Sequence, residues 1–137
     1  MTIIADTGPI AALFNPKDQW HEWAVEISKN FLPSTTLITC EAVLTEVFFL
    51  LRPSSTGLKN FVEALATPGL YETPWSFEQH RITVMNLYLK YNDVPTSFAD
   101  MCLLHMASTM NHSCIWTLDR DFQIYRLPGN KQVPIFS

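Results

Sequence analysis

Cysteine is scarce in this sequence, and its three copies, Cys40, Cys102 and Cys114, lie far apart inside apolar stretches. The chain has no CxxC pair and no Cys/His cluster, so its pattern indicates neither a disulfide framework nor a zinc site. Free cysteine is among the most buried residue types, so we expect three buried thiols. Because free thiols are typical of reducing compartments, we expect a cytoplasmic location.

Long apolar runs and glycine-rich loops are also missing. The longest purely apolar run near the middle of the chain is Val47–Leu51, far below the roughly 20 residues of a membrane span. The N-terminus reaches a carboxylate at Asp6 without a basic region, which argues against a signal peptide. The four glycines form no GxGxxG, P-loop or G-x-S-x-G motif, so dinucleotide-binding proteins, P-loop NTPases and serine hydrolases are not indicated.

Basic residues are too few to make a strongly positive surface, since 9 Lys and Arg face 13 Asp and Glu for a net charge of −4. Nucleic-acid binding normally requires phosphate neutralisation by such a surface. If four of the acids form one metal site, the remainder is neutral, 13 − 4 = 9 acids against 9 bases. A bound divalent ion would then reverse the local electrostatics. The composition permits an RNA substrate without suggesting one.

The chain itself, 137 residues of which 47% are hydrophobic, is predicted to form a single domain spanning 1–137. Strands alternate with helices along it, which predicts an α/β fold with a mostly parallel sheet covered by helices on both faces. The predicted strands are Thr2–Asp6, Thr35–Thr39, Leu70–Thr73, Cys114–Leu118 and Val133–Phe136. The predicted helices are Ile10–Phe14, one capped by Asp18, Glu41–Leu51, Leu58–Leu65, Phe77–Tyr91 and Phe98–Met110.

Acidic residues stand where such a sheet opens its ligand crevice. Asp6 and Asp119 each end a strand, Asp100 lies in the first turn of a helix, and Glu46 lies within the apolar third helix. In parallel sheets the crevice lies beyond the carboxyl ends of the strands. Carboxylates that converge there repel one another unless a cation neutralises them. Oxygen ligands without His or Cys favour Mg²⁺ or Mn²⁺, which suits metal-assisted hydrolysis of a phosphodiester.

Each acid also has a purely structural explanation, which the sequence leaves open. Asp6 is a candidate helix N-cap, and Ser97 and Asp100 have the spacing of a capping box. Asp119 can cap or form a turn before Asp121–Tyr125, and Glu46 can be an ordinary solvent-facing glutamate. The four histidines have no evident partner in the pattern and are expected to be structural or superficial; they are His21, His80, His105 and His112.

Four short segments together resemble the PIN-domain ribonucleases, specifically the VapC-like toxins of bacterial toxin–antitoxin pairs. Their order along the chain matches the family, and they span almost its whole length. The segments are Ile4-Ala5-Asp6-Thr7-Gly8, Val43-Leu44-Thr45-Glu46-Val47, Ser97-Phe98-Ala99-Asp100-Met101 and Ile115–Phe122.

The resemblance implies a three-layer α/β/α fold with a short parallel sheet, and a Mg²⁺- or Mn²⁺-dependent endoribonuclease acting on RNA. It further implies a homodimer and an antitoxin protein that covers the site. Residue by residue, Asp6 and Asp100 match the principal metal ligands, while Glu46 and Asp119 match the supporting acids, with Asp119 a further candidate ligand. Thr7 and Thr117 match hydroxyls that order the site, and Ser97 and Asp121 are supporting residues nearby.

Two departures from the family pattern open an alternative. Many relatives carry an acid where this chain has Ser97, and a serine where it has Gly8. A PIN-like scaffold that binds RNA or a partner protein without turnover is therefore the competing hypothesis.

A phosphoacceptor receiver domain would need an acidic pair after the first strand and a lysine after a late strand. The first strand is followed by Asp6 alone, which argues against it.

Overall fold

A parallel sheet of four strands forms the centre of the computed structural model, which describes residues 1–136. Its order is β2-β1-β3-β6, and every pairing in it is parallel. The strands are β1 (Thr2–Ala5), β2 (Thr36–Ile38), β3 (Ser113–Trp116) and β6 (Ile135–Phe136). A separate antiparallel hairpin joins β4 (Arg126–Leu127) to β5 (Lys131–Gln132).

Six α-helices accompany the sheet within residues 1–136. They are α1 (Thr7–Phe14), α2 (His21–Ser28), α3 (Glu41–Leu50), α4 (Ser55–Ala66), α5 (Phe77–Lys90) and α6 (Phe98–Thr109), and a short 3-10 helix spans Arg120–Gln123. The central strands are continuously buried at Ile3–Ala5 and Cys114–Trp116, as expected when helices cover both faces of a parallel sheet. The predicted three-layer α/β/α class is confirmed.

The most deeply buried helix is α6, which packs against β1, β3, α3 and α5. Nine of its residues are buried, in an unbroken run from Ala99 to Ala107. A helix that is apolar on all sides belongs inside the molecule rather than on its surface. Its burial holds the first turn, and with it Asp100, close to the strands. The three cysteines are free and buried, as predicted.

Several predicted elements differ from the observed ones. Leu70–Thr73 is not a strand, because only Glu72 makes a bridge, to Ile38 of the edge strand β2. The hairpin β4–β5 was not predicted, since its strands have only two residues each and carry no alternating pattern. Asp18 does not cap α2 directly; its carboxylate accepts a hydrogen bond from the amide of Trp20, one residue before the helix.

The apolar side of α5 faces outward rather than into the core. Ile82 is 73% exposed and Leu89 is 66% exposed, while Val84 is the buried residue of this helix. An apolar stripe at helical spacing predicts burial, but it does not say against which surface.

No helix in the described part of the chain has the length and apolar character needed to cross a membrane.

Candidate metal centre

Strand register brings the first two site residues together. Ala5 at the end of β1 pairs with Trp116 at the end of β3, so the residues that follow, Asp6 and Thr117, are neighbours. The amide of Asp6 donates to the carbonyl oxygen of Trp116 at 3.0 Å. The Thr117 hydroxyl donates to Asp6 Oδ2 at 2.6 Å. Two short parallel strands therefore place a carboxylate and a hydroxyl at one sheet edge.

Asp6 is held firmly from both sides. Its Oδ1 accepts a hydrogen bond from the amide of Thr7 at 2.7 Å at the start of α1, so the predicted capping role is real. Thr117 Oγ1 in turn accepts a hydrogen bond from the amide of Asp119 at 2.9 Å. Each carboxylate oxygen has about two lone-pair positions, so both oxygens of Asp6 can still take another partner.

Asp100 reaches the same edge from the first turn of α6. Ser97 caps this helix, since its hydroxyl accepts a hydrogen bond from the amide of Asp100 at 3.0 Å. The hydroxyl of Tyr125 donates to Asp100 Oδ2 at 2.9 Å and lies 2.7 Å from Thr96 Oγ1. Tyr125 is fully buried, so it holds the carboxylate in place from the side of the core.

Asp119 and Glu46 complete the group at the more exposed side. Asp119 Oδ1 accepts a hydrogen bond from the amide of Asp121 at 2.8 Å and thereby caps the short 3-10 helix. Glu46 projects from α3 as an exposed side chain. The solvent-facing and capping explanations are thus correct locally, and they coexist with membership of one site.

One cavity of about 370 Å³ joins these residues. All of its ionisable lining residues are carboxylates. Asp121 lies outside the lining, and its backbone amide donates a hydrogen bond to Asp119. The lining consists of Asp6, Thr7, Gly8, Glu46, Pro95, Ser97, Asp100, Leu118 and Asp119. Thr117 stands behind Asp6 rather than in the wall. The structure thus brings the four predicted acids to one place.

The carboxylates of this cavity are electrostatically strained. Burial raises the pKa of Asp6 to about 7, and the charges of Asp100 and Asp119 add to that rise, while hydrogen bonds from Thr117 and Thr7 oppose it. Burial also raises the pKa of Asp100, with a further contribution from Asp119. The pKa of Glu46 is raised by burial and then by Asp100. A cation among these groups would favour their ionised forms.

The donor set fits a hydrated divalent ion better than a closed cage. Within residues 1–136, no three His, Cys, Asp or Glu side chains stand close enough to hold a metal directly. Mg²⁺ commonly binds through one or two carboxylates and keeps several waters, so it does not require such a cluster. The hydroxyl of Thr7 is buried at the cavity wall and makes no close hydrogen bond among the described residues, although it is near enough to Glu46 to lower the pKa of that carboxyl group. A water of a hydrated ion would satisfy it.

Some functional neighbours carried no usable sequence signal. Tyr125 follows Asp100 by 25 residues, and nothing in its surroundings marks it as the donor to that carboxylate. Two of the histidines have structural contacts that the sequence did not show, in keeping with the structural roles expected for them. Trp75 Nε1 donates to His105 Nδ1 at 3.0 Å, and His21 Nδ1 lies 2.7 Å from the carbonyl oxygen of Ala12. The first contact joins positions 30 residues apart, and the second joins the consecutive helices α1 and α2.

Comparisons with known proteins agree with this architecture. The family model described as PIN domain matches residues 3–127. Among solved structures, VapC20 from Mycobacterium tuberculosis, described as a sarcin-ricin loop cleaving toxin, is similar with a TM-score of 0.74 and 19% sequence identity. The similarity covers 89% of this chain and 93% of that one. A search of curated proteins returned no significant match. The family model covers most of the chain, and we conclude that this protein belongs to the PIN-domain family.

Proposed function

We propose that this protein is a divalent-metal-dependent endoribonuclease, the toxin of a toxin–antitoxin pair, acting through Asp6, Glu46, Asp100 and Asp119. The observation that carries the proposal is the single cavity lined by these four carboxylates. The similarity to a toxin that cleaves an RNA loop supports RNA as the substrate. The dependence on Mg²⁺ or Mn²⁺ is supported by the oxygen-only set of charged donors and by their mutual repulsion.

In this proposal Asp6, Asp100 and Asp119 are the ligands of a hydrated ion, one or two of them directly and the others through its waters, and their neighbours keep them oriented. A bound divalent ion supplies a water of lowered pKa and positive charge for the phosphate oxygens. Thr117 and the Thr7 amide fix both oxygens of Asp6. Glu46 stands at the exposed wall with a raised pKa, so its carboxylate is suited to accept a proton from the attacking water.

Removal of divalent ions is the direct test. We expect purified protein to cleave RNA with Mg²⁺ or Mn²⁺ and to lose that activity in EDTA, with recovery when the ion is added back in excess. Gel electrophoresis of a labelled RNA that contains single-stranded loops measures the effect. Cleavage that is unchanged by EDTA would refute metal-dependent catalysis by this cavity.

Tyr125 provides a second test, because it touches a proposed ligand without lining the cavity. We expect Tyr125→Phe to lower metal affinity or activity by about tenfold, at the lower end of the range for residues that orient metal ligands. The phenylalanine keeps the packing of the buried ring but removes the hydrogen bond to Asp100. Added Mg²⁺ should restore much of the rate if the defect is in metal binding. Calorimetric Mg²⁺ titration separates that result from general misfolding.

A scaffold without turnover is the second candidate, and it is favoured by Gly8 and Ser97, which stand where many relatives carry a serine and an acid. Calorimetry distinguishes the two candidates, since the scaffold predicts no Mg²⁺ binding that depends on Asp6 or Asp100.

The homodimer, the antitoxin partner and the cytoplasmic location stay predictions from the sequence. Exposed apolar residues on α3 and α5 offer surface for protein contacts; they include Phe48, Phe49, Leu50, Ile82 and Leu89.

A further inference from the structure

A second cavity, of about 510 Å³, adjoins the metal centre. Glu46 and Ser97 line both cavities, so the two share a wall. We call the second one the aromatic pocket, and its lining is Cys40, Glu41, Ala42, Thr45, Glu46, Trp75, Phe77, Ser97, Phe98, Ala99 and Cys102. Its volume lies in the range of small-molecule sites. The proposed function assigns it no role.

The walls of the aromatic pocket present ring surfaces that are already held in place. Phe77 and Phe98 meet edge to face, with centroids 5.2 Å apart and planes at 72°. Trp75 is fixed by its hydrogen bond to His105 and by stacking on His80 at 5.5 Å. Phe98 is 40% exposed, so part of its ring remains free for a ligand. Stacking on such rings is the usual way in which proteins hold unpaired bases.

Charge decides which part of a nucleotide suits the aromatic pocket. Both ionisable groups of its lining other than the thiols are acidic, Glu41 and Glu46. A phosphate would be repelled there, whereas an uncharged base would not. Carboxylates accept hydrogen bonds from exocyclic amino groups of bases. The Watson–Crick edge of uracil has no amino group; its one donor, N3–H, lies between two carbonyl oxygens that repel a carboxylate.

We propose that the aromatic pocket receives an unpaired nucleobase next to the phosphate that is cut, with Phe98 as its stacking surface and Glu41 selecting amino-bearing bases over uracil. The position of this base beside the cut phosphate rests on the proposed function, because a phosphate bound in the metal centre would put the adjoining base at the shared wall. Base binding itself does not need the metal, so it can be measured separately.

Uncharged nucleosides test the aromatic pocket without any cleavage. Saturation-transfer NMR with adenosine, cytidine and uridine, in EDTA, measures binding to the full-length protein. We expect adenosine and cytidine to bind better than uridine. Phe98→Ala should weaken binding by about tenfold, within the span of stacking effects, and Phe98→Trp should retain it. Tyr88→Ala is the matched control, since Tyr88 is 39% exposed on α5 and lies outside both cavities.

The Glu41 variant tests selectivity rather than affinity. Glu41→Gln keeps the size of the side chain and adds an amide donor, so uridine should bind as well as cytidine does. No saturation transfer to any nucleoside would overturn the proposal, as would equal losses for Phe98→Ala and Tyr88→Ala. If binding is present but Phe98→Ala does not weaken it, an apolar side chain of a protein partner is the better occupant and the proposal fails.

RNA cleavage separates this inference from the proposed function. With an RNA that wild type cuts, an abasic site beside the cut phosphate should raise KM by about tenfold. On that abasic RNA, Phe98→Ala should raise KM much less than it does on the intact RNA, because the base that Phe98 stacks on is already missing. Cleavage with no sensitivity to either change would overturn the aromatic pocket alone. No cleavage by wild type, with nucleoside binding that follows Phe98 and Glu41, would overturn the nuclease and leave a base-binding site.

Discussion

Asp6→Asn is expected to reduce metal-dependent RNA cleavage by about 100-fold or more, because residues that merely orient a ligand already cost about 10- to 100-fold. The amide oxygen of the new side chain would still accept the Thr7 amide hydrogen bond that caps α1, so the fold should persist. What disappears is the negative charge that attracts a divalent ion. Initial rates of cleavage at several Mg²⁺ concentrations, with circular dichroism as a check on folding, measure the effect.

Asp18→Asn is the matched control for this result. Asp18 also uses a carboxylate oxygen to accept a backbone hydrogen bond, from Trp20 at 2.8 Å, and an asparagine preserves that contact. It lies outside the lining of the metal centre, so the variant should cleave RNA at the wild-type rate. Equal activity of Asp6→Asn and Asp18→Asn would remove Asp6 from the proposed metal centre.

The same Asp6→Asn substitution is expected to stabilise the metal-free protein by about 2 kcal/mol at pH 8. Asp6 is 6% exposed, and its pKa rises from 3.8 to about 7 in the fold. Its carboxyl group therefore favours folding below pH 4, and that contribution is lost as the pH rises through about 7. At 1.36 kcal/mol per pKa unit, the ionised carboxylate of Asp6 destabilises the fold by at most about 4 kcal/mol. Asparagine avoids part of this destabilisation because it is uncharged.

Urea denaturation in EDTA at pH 8 and at pH 5 measures this difference. The gain of Asp6→Asn over wild type should shrink at pH 5, where folded wild type keeps Asp6 largely protonated. Saturating Mg²⁺ should then stabilise wild type more than the variant, because a ligand that binds only the folded state adds stability by mass action. A variant that is less stable than wild type at pH 8 in EDTA would contradict the electrostatic strain that we infer.

The positions of the acids that line the proposed metal centre could be predicted because they depend on local rules. Asp6 and Asp119 follow strands, and the crevice of a parallel sheet lies at that end of the strands. Asp100 lies in the first turn of α6, and a helix that packs beside the first strand brings its first turn to that same edge of the sheet. The α/β class followed from the alternation of predicted strands and helices, the PIN family from the four ordered segments, and both are confirmed. The roles of the individual acids stay predictions.

Other predictions from the local pattern were wrong, because the outcome depends on distant parts of the chain. Leu70–Thr73 is apolar enough for a strand, yet it finds only one bridging partner at the sheet edge. Ile82 and Leu89 have helical spacing, yet both are exposed, and Val84 is the buried residue of α5. Whether an apolar residue is buried depends on what packs against it, and that is settled by distant elements.

The sequence by itself determined the class of fold, the family and the four acidic positions, because hydrophobic periodicity and residue order are local properties of the chain. Only the tertiary structure decided that Tyr125 holds Asp100, that Thr117 holds Asp6 and that an aromatic pocket adjoins the metal centre. Each of these facts joins residues far apart along the chain. Their contacts depend on strand register and on how α3, α5 and α6 pack together, which no short segment specifies.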